Sequence, residues 1–139
     1  MLASPAVALE RLVEAARLAR ENAYAPYSNF AVGAAVVDDQ GRIFAGCNVE
    51  NRSFGLSLCA ERSAVAAAVA AGARRLDAVA ICTAAEPPAA PCGLCRQTLA
   101  EFGAPDLRLV LFNPAGERRE FRLGELFPEP FRLPSEIDP

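Results

Sequence analysis

Leu9, Leu12, Val13, Ala16 and Ala19 recur at helical spacing and define one apolar face. Just ahead of them, Ser4-Pro5 offers an N-cap side chain and a proline suited to the first helical position, and the pattern predicts a helix ending near Ala23. The segment Tyr24-Ala25-Pro26-Tyr27-Ser28 breaks the periodicity. Pro26 biases Ala25 away from helical backbone, and Ser28-Asn29 bring turn-forming side chains. Residues 30–37 and 42–47 then read as strands joined by Asp38-Asp39-Gln40-Gly41, the composition of a hairpin turn.

A polar loop over residues 48–53 leads to a second helix at 59–71, alanine-rich and apolar enough to predict burial on several sides, with Gly72 placed as its C-terminal cap. A short strand at 78–82, a proline-rich loop at 86–91 and a third helix at 92–102, closed by Gly103, follow. Residues 107–112 supply another strand, Asn113-Pro114-Ala115-Gly116 a turn, 117–122 an edge strand and 123–127 a short helical turn. Strand-helix-strand links need crossover connections. The order therefore predicts an α/β fold: a three-layer α/β/α sandwich with a mixed five-stranded sheet and helices on both faces.

Composition narrows this picture. A chain of 139 residues with 53% hydrophobic content can bury its own core, so residues 1–139 are expected to form a single domain, and no repeat or linker divides them. The net charge of -3 gives no general attraction for nucleic-acid phosphates or anionic lipid, which favours a small-molecule partner over nucleic acid or membrane. Met1-Leu2-Ala3-Ser4-Pro5 lacks the basic start and apolar run of a signal peptide, and the expected location is the cytoplasm. Five cysteines without a secretory signal point to metal ligation or free thiols rather than a disulfide framework. The chain has no histidine, so His bases, His ligands and Ser-His-Asp triads are excluded.

Chemistry must then rest on cysteine, glutamate and metal, and two short stretches supply them: Cys59-Ala60-Glu61 and Pro91-Cys92-Gly93-Leu94-Cys95. Three thiolates can hold zinc at three corners of a tetrahedron and leave the fourth for water, the open arrangement of a catalytic site. Cys59 and Cys92 both fall at predicted helix N-termini, where unpaired amides and the positive end of the dipole favour thiolate. Glu61 stands two residues from Cys59 and is the candidate proton carrier. Cys47 and Cys82 lie inside apolar strands and read as core. The competing arrangement, a non-catalytic zinc module in which Cys47 or Cys82 closes a four-thiolate cage, leaves Glu61 without a role.

The two stretches together resemble the zinc-dependent cytidine deaminase family, in its small-subunit, three-cysteine branch. Ala25-Pro26-Tyr27-Ser28, Phe30, Val32-Gly33-Ala34-Ala35, Asn48-Val49-Glu50-Asn51, Cys59-Ala60-Glu61-Arg62 and Cys95-Arg96-Gln97 follow that family's order and spacing. The resemblance implies a cytidine deaminase-like fold, zinc on Cys59, Cys92 and Cys95, and attack of a metal-activated water on C4 of cytosine. Glu61 would shuttle the proton and Arg62 would hydrogen-bond ligand sulfurs. Asn48 and Glu50, on one face of an extended segment, would bind ribose; Phe30 would lie against the pyrimidine and Ala60 would contribute backbone contacts. The resemblance further implies a homotetramer in which Phe131 reaches a neighbouring subunit's site, with cytidine and deoxycytidine as substrates in pyrimidine salvage. Blasticidin-type deaminases share the cysteine core, but Glu50 argues against them. Phe54, where many members have Tyr, and Leu126-Phe127-Pro128, in place of Leu-Leu-Pro, depart from the pattern.

Overall fold

The computed structural model describes residues 5–136. Helix α1 (Pro5–Arg20) precedes a hairpin of β1 (Gly33–Asp38) and β2 (Ile43–Cys47). Helix α2 (Ala60–Ala70), β3 (Leu76–Cys82), α3 (Gly93–Phe102), β4 (Arg108–Phe112), β5 (Arg118–Arg122) and the short α4 (Leu123–Leu126) follow, with single 3-10 turns at Phe54–Leu56 and Pro134–Glu136. The five strands form one sheet in the order β2-β1-β3-β4-β5. β1 is antiparallel to both of its neighbours, β3 and β4 are parallel, and β5 returns antiparallel. The parallel β3/β4 pair is what requires the α3 crossover.

Side chains alternate across the sheet and divide the core in two. Ala34, Val36, Val79, Ile81, Leu109 and Leu111 face α2 and α3, meeting Ala60, Ala64, Ala68 and Leu99. Ala35, Ala80, Cys82, Val110 and Phe112 face α1, where Leu12, Val13 and Ala16 cover them. The expected three layers and mixed five-stranded sheet are therefore present. Small residues let α2 approach closely: a Cβ on Gly46 of β2 would lie 2.5 Å from the backbone nitrogen of Ala64. The edge strand β5 is charged along most of its length, which discourages pairing with another chain. Among the described residues no helix is long and apolar enough to cross a membrane.

Several boundaries differ from the sequence expectation for identifiable reasons. Helix α1 ends at Arg20 rather than near Ala23, because the amides of Glu21, Asn22 and Ala23 bond carbonyls three residues back and tighten the chain into turns. Ser4, the expected cap, lies outside the described residues. The first strand starts at Gly33, not at residue 30: the Asn48 side chain takes the place of a ladder there, donating to the Phe30 carbonyl at 2.7 Å and accepting from the Val32 amide at 2.9 Å. Within the single chain α2 is buried along one side, with Ala66, Ala67 and Ala70 exposed. Gly72 has φ of 100°, the left-handed backbone expected just past a helix. Gly103 is extended, with φ of -124°; it is glycine for space, a Cβ there meeting a Leu107 methyl at 2.7 Å.

Candidate metal centre

Cys59 and Cys92 are the N-cap residues of α2 and α3, both in extended backbone, and neither uses its side chain to cap its helix. Their sulfurs are thereby free to turn toward each other, and lie 3.9 Å apart. Cys95, in the first turn of α3, is buried beneath them, and the three Sγ atoms all fall within 4.8 Å of one another. In a tetrahedral site with Zn–S bonds of about 2.3 Å, sulfurs sit about 3.8 Å apart. The donor set and its spacing fit zinc. Among the described residues this group contains no fourth thiol, which removes the closed four-cysteine cage. Cys82 is buried against α1, and Cys47 is half-buried at the end of edge strand β2.

The thiols also influence one another's ionisation. Hydrogen bonding with the Cys95 thiol brings Cys59 down to about 6 against the upward push of burial, with Cys92 and the charge of Arg62 adding to the effect. Cys95 moves in the opposite sense, raised by its bond to Cys59, by burial and by the nearby Glu61 carboxylate. Thiols this close oppose one another's ionisation, and a divalent ion held among them would favour thiolate on all three. Two helix N-termini converge on the same point and add their positive ends.

Glu61, one residue inside α2, is 5% exposed, and burial raises its carboxyl above the ordinary value, reinforced by charge on Cys59. It borders a cavity of about 260 Å³ together with Cys59, Cys92, Ala60, Phe30, Asn48 and Glu50. Seven of the ten residues singled out in the sequence therefore surround one space. Cys95 is fully buried and does not line it, though its sulfur lies within 4.8 Å of the other two. Arg62 stands on α2 beside Cys59, whose sulfur it influences by charge and hydrogen bonding. Phe131 is 73% exposed and does not line the cavity of its own chain.

Sequence reasoning missed other walls of the cavity: Ser28, Val32, Ile81, Thr83 and Ala89. Ile81 and Thr83 mark the carboxyl end of β3, the side of an α/β sheet where crevices form, and that position was the available signal. The Thr83 hydroxyl accepts the amides of Ala85 and Ala89, both at 3.3 Å, and shapes the loop that leads to Cys92. Arg96 anchors the same turn from the other side, donating to the Pro91 carbonyl at 2.8 Å and to the Leu126 carbonyl at 2.6 Å.

Comparison with known proteins gives concordant findings. Residues 7–111 match the family model described as the cytidine and deoxycytidylate deaminase zinc-binding region. The chain is 42% identical over 123 residues to a cytidine deaminase of Sporosarcina psychrophila, covering 88% of this chain and 90% of that protein. It is 47% identical over 115 residues to the cytidine deaminase of Mycobacterium tuberculosis, covering 83% of each. Among solved structures, a cytidine deaminase from Burkholderia pseudomallei superposes with a TM-score of 0.84 at 52% identity, over 88% of this chain and 98% of that one.

Proposed function

We propose that this chain, which belongs to the cytidine and deoxycytidylate deaminase family, hydrolyses the amino group from the cytosine ring of cytidine and deoxycytidine, releasing uridine or deoxyuridine and ammonia. Its cofactor is zinc, held by Cys59, Cys92 and Cys95, and when bound the metal supplies the Lewis acidity that makes water a nucleophile near neutral pH. Glu61 takes a proton from the water that attacks C4, delivers it to N3, and later helps protonate the amino group that leaves as ammonia. The observation that carries this reading is the meeting of a nearly buried carboxyl, three clustered thiols and a nucleoside-sized cavity at two helix N-termini. Burial of Glu61 weakens its acidity, which suits a group that must both accept and release a proton.

The remaining residues bind and orient. Phe30 lies against the pyrimidine, Ala60 offers backbone contacts to the ring, and Asn48 and Glu50 take the sugar. Asn48 does so with the amide capacity left after bracing the Phe30 and Val32 backbone. Arg62 draws electron density from the ligand sulfurs. Phe131 completes the site of a neighbouring subunit in a homotetramer, a reading supported by the exposed Phe54, Leu56 and Phe131 and by the exposed alanines of α2. As one domain over residues 1–139, the enzyme serves pyrimidine salvage in the cytoplasm.

Zinc-loaded protein tested with cytidine, deoxycytidine, free cytosine and a nucleoside analogue of the blasticidin type decides the matter. Uridine and ammonia in equal amounts from cytidine are expected. Turnover of the analogue alone would move the substrate elsewhere, and zinc binding without any turnover would contradict the enzymatic reading.

A further inference from the structure

Glu50 enters the cavity with most of its hydrogen-bonding capacity already used. Its Oε1 accepts the backbone amides of Tyr27 at 2.9 Å and Ser28 at 3.1 Å, and its Oε2 accepts the Ser28 hydroxyl. A carboxylate has about four acceptor positions, two on each oxygen. Three are filled from the 24–30 segment, and one, on Oε2, remains. The Ser28 oxygen in turn accepts the Phe30 amide at 3.0 Å, across Asn29, whose φ of 58° places it in the left-handed region that Asn tolerates. Ser28, Phe30 and Glu50 all border the cavity. A single hydroxyl therefore sets both the direction of Oε2 and the seat of the Phe30 backbone.

We propose that Ser28 is a positioning residue for nucleoside recognition: its hydroxyl holds Glu50 so that Oε2 presents one acceptor position to one hydroxyl of the sugar. The inference rests on the reading of the chain as a nucleoside deaminase and deepens it. The Ser28 hydroxyl is also the main reason the Glu50 carboxyl lies below the ordinary range; burial, the next influence in size, opposes it, and the Ser28 and Tyr27 amides assist the lowering. Glu50 is thus an ionised acceptor throughout the neutral range, with no proton of its own to offer. The metal cluster and Glu61 are carried by α2 and α3, outside the 24–30 segment, so loss of the Ser28 hydroxyl acts on binding and spares the chemical step.

A double-mutant cycle with steady-state kinetics on cytidine tests this. Ser28→Ala is expected to raise KM about tenfold with kcat within about twofold, since a hydrogen bond to a charged group is lost from binding alone. Ser28→Thr, which keeps a hydroxyl, should restore KM. In the Glu50→Ala background, Ser28→Ala should raise KM by clearly less than it does in the parent, because the carboxylate it orients is gone and only its bond to the Phe30 amide remains to be lost. Equal rises in both backgrounds, or a fall in kcat at unchanged KM, overturn the inference while parental turnover of cytidine keeps the deaminase reading intact. A parent that releases no uridine overturns both.

Discussion

Three thiolates around a divalent ion leave one net negative charge, and electron-rich sulfur weakens the pull of the metal on water. Arg62, half-buried beside Cys59, is placed to offset that excess. Arg62→Ala is expected to keep zinc and to lower kcat by about 10- to 100-fold, the usual cost of removing a group that tunes a metal ligand. Metal content and turnover measured on one preparation check this, and an unchanged kcat would make Arg62 an ordinary helix-surface residue. At this scale the candidate site was legible where two local patterns converged: a cysteine two residues from a glutamate and a pair of cysteines spaced for one ion, each only moderately informative alone, point together to one metal. Ser28 and Thr83 did not, because a lone hydroxyl acquires a role only from what the folded chain brings to it. Both belong to loops whose course the local pattern leaves open.

Elements followed the hydrophobic pattern, and their ends followed particular side chains. Asn48 keeps residues 30–32 out of the sheet with two side-chain hydrogen bonds that no periodicity announces. Asp38 closes the β1–β2 turn in the same manner. Its buried carboxylate accepts the Arg42 amide at 2.8 Å, the Arg42 guanidinium at 2.7 Å and the Gln40 amide at 3.1 Å. Burial alone would raise this carboxyl, but the bonds to Arg42 and Gln40 outweigh it and hold it below its ordinary value of 3.8. The resulting stabilisation is complete above that value and fades as pH falls through the lower native one. Asp38→Asn should therefore cost about 2 kcal/mol at neutral pH, and the gap from the parent should narrow in acid, as denaturant midpoints across pH would show. A gap independent of pH would assign the cost to packing. Gly46 sets the seat of α2, which carries the Cys59 cap and Glu61. Gly46→Ala should destabilise by about 1–3 kcal/mol and loosen zinc retention along with it, by denaturation and metal analysis.

The whole molecule owes its active crevice to topology. Strand order was not readable from the chain: it comes from β1 inserting between β2 and β3, and only long-range packing decides that. The layering was readable, because alternating helices and strands admit few arrangements. Convergence of the two helix N-termini follows from both, and it makes the metal a tie between α2 and α3. Chelation should lower Tm by roughly ten degrees, reversibly on adding zinc back, if free zinc stands about a thousandfold above its Kd in the loaded state. No shift would mean that the helices hold the cluster unaided. The role proposed for Phe131 rests on family resemblance alone, since its side chain is exposed and lies outside the cavity of its own chain.

Glu61→Ala, assayed for bound zinc and for uridine release from cytidine on the same sample, bears most directly on the central claim. Three sulfurs suffice to hold the metal, so zinc should stay near one ion per chain while turnover falls by about 100-fold or more, the contribution of a positioned proton carrier. A variant that deaminates cytidine at the parental rate with zinc in place would contradict the role of Glu61 and the mechanism built on it.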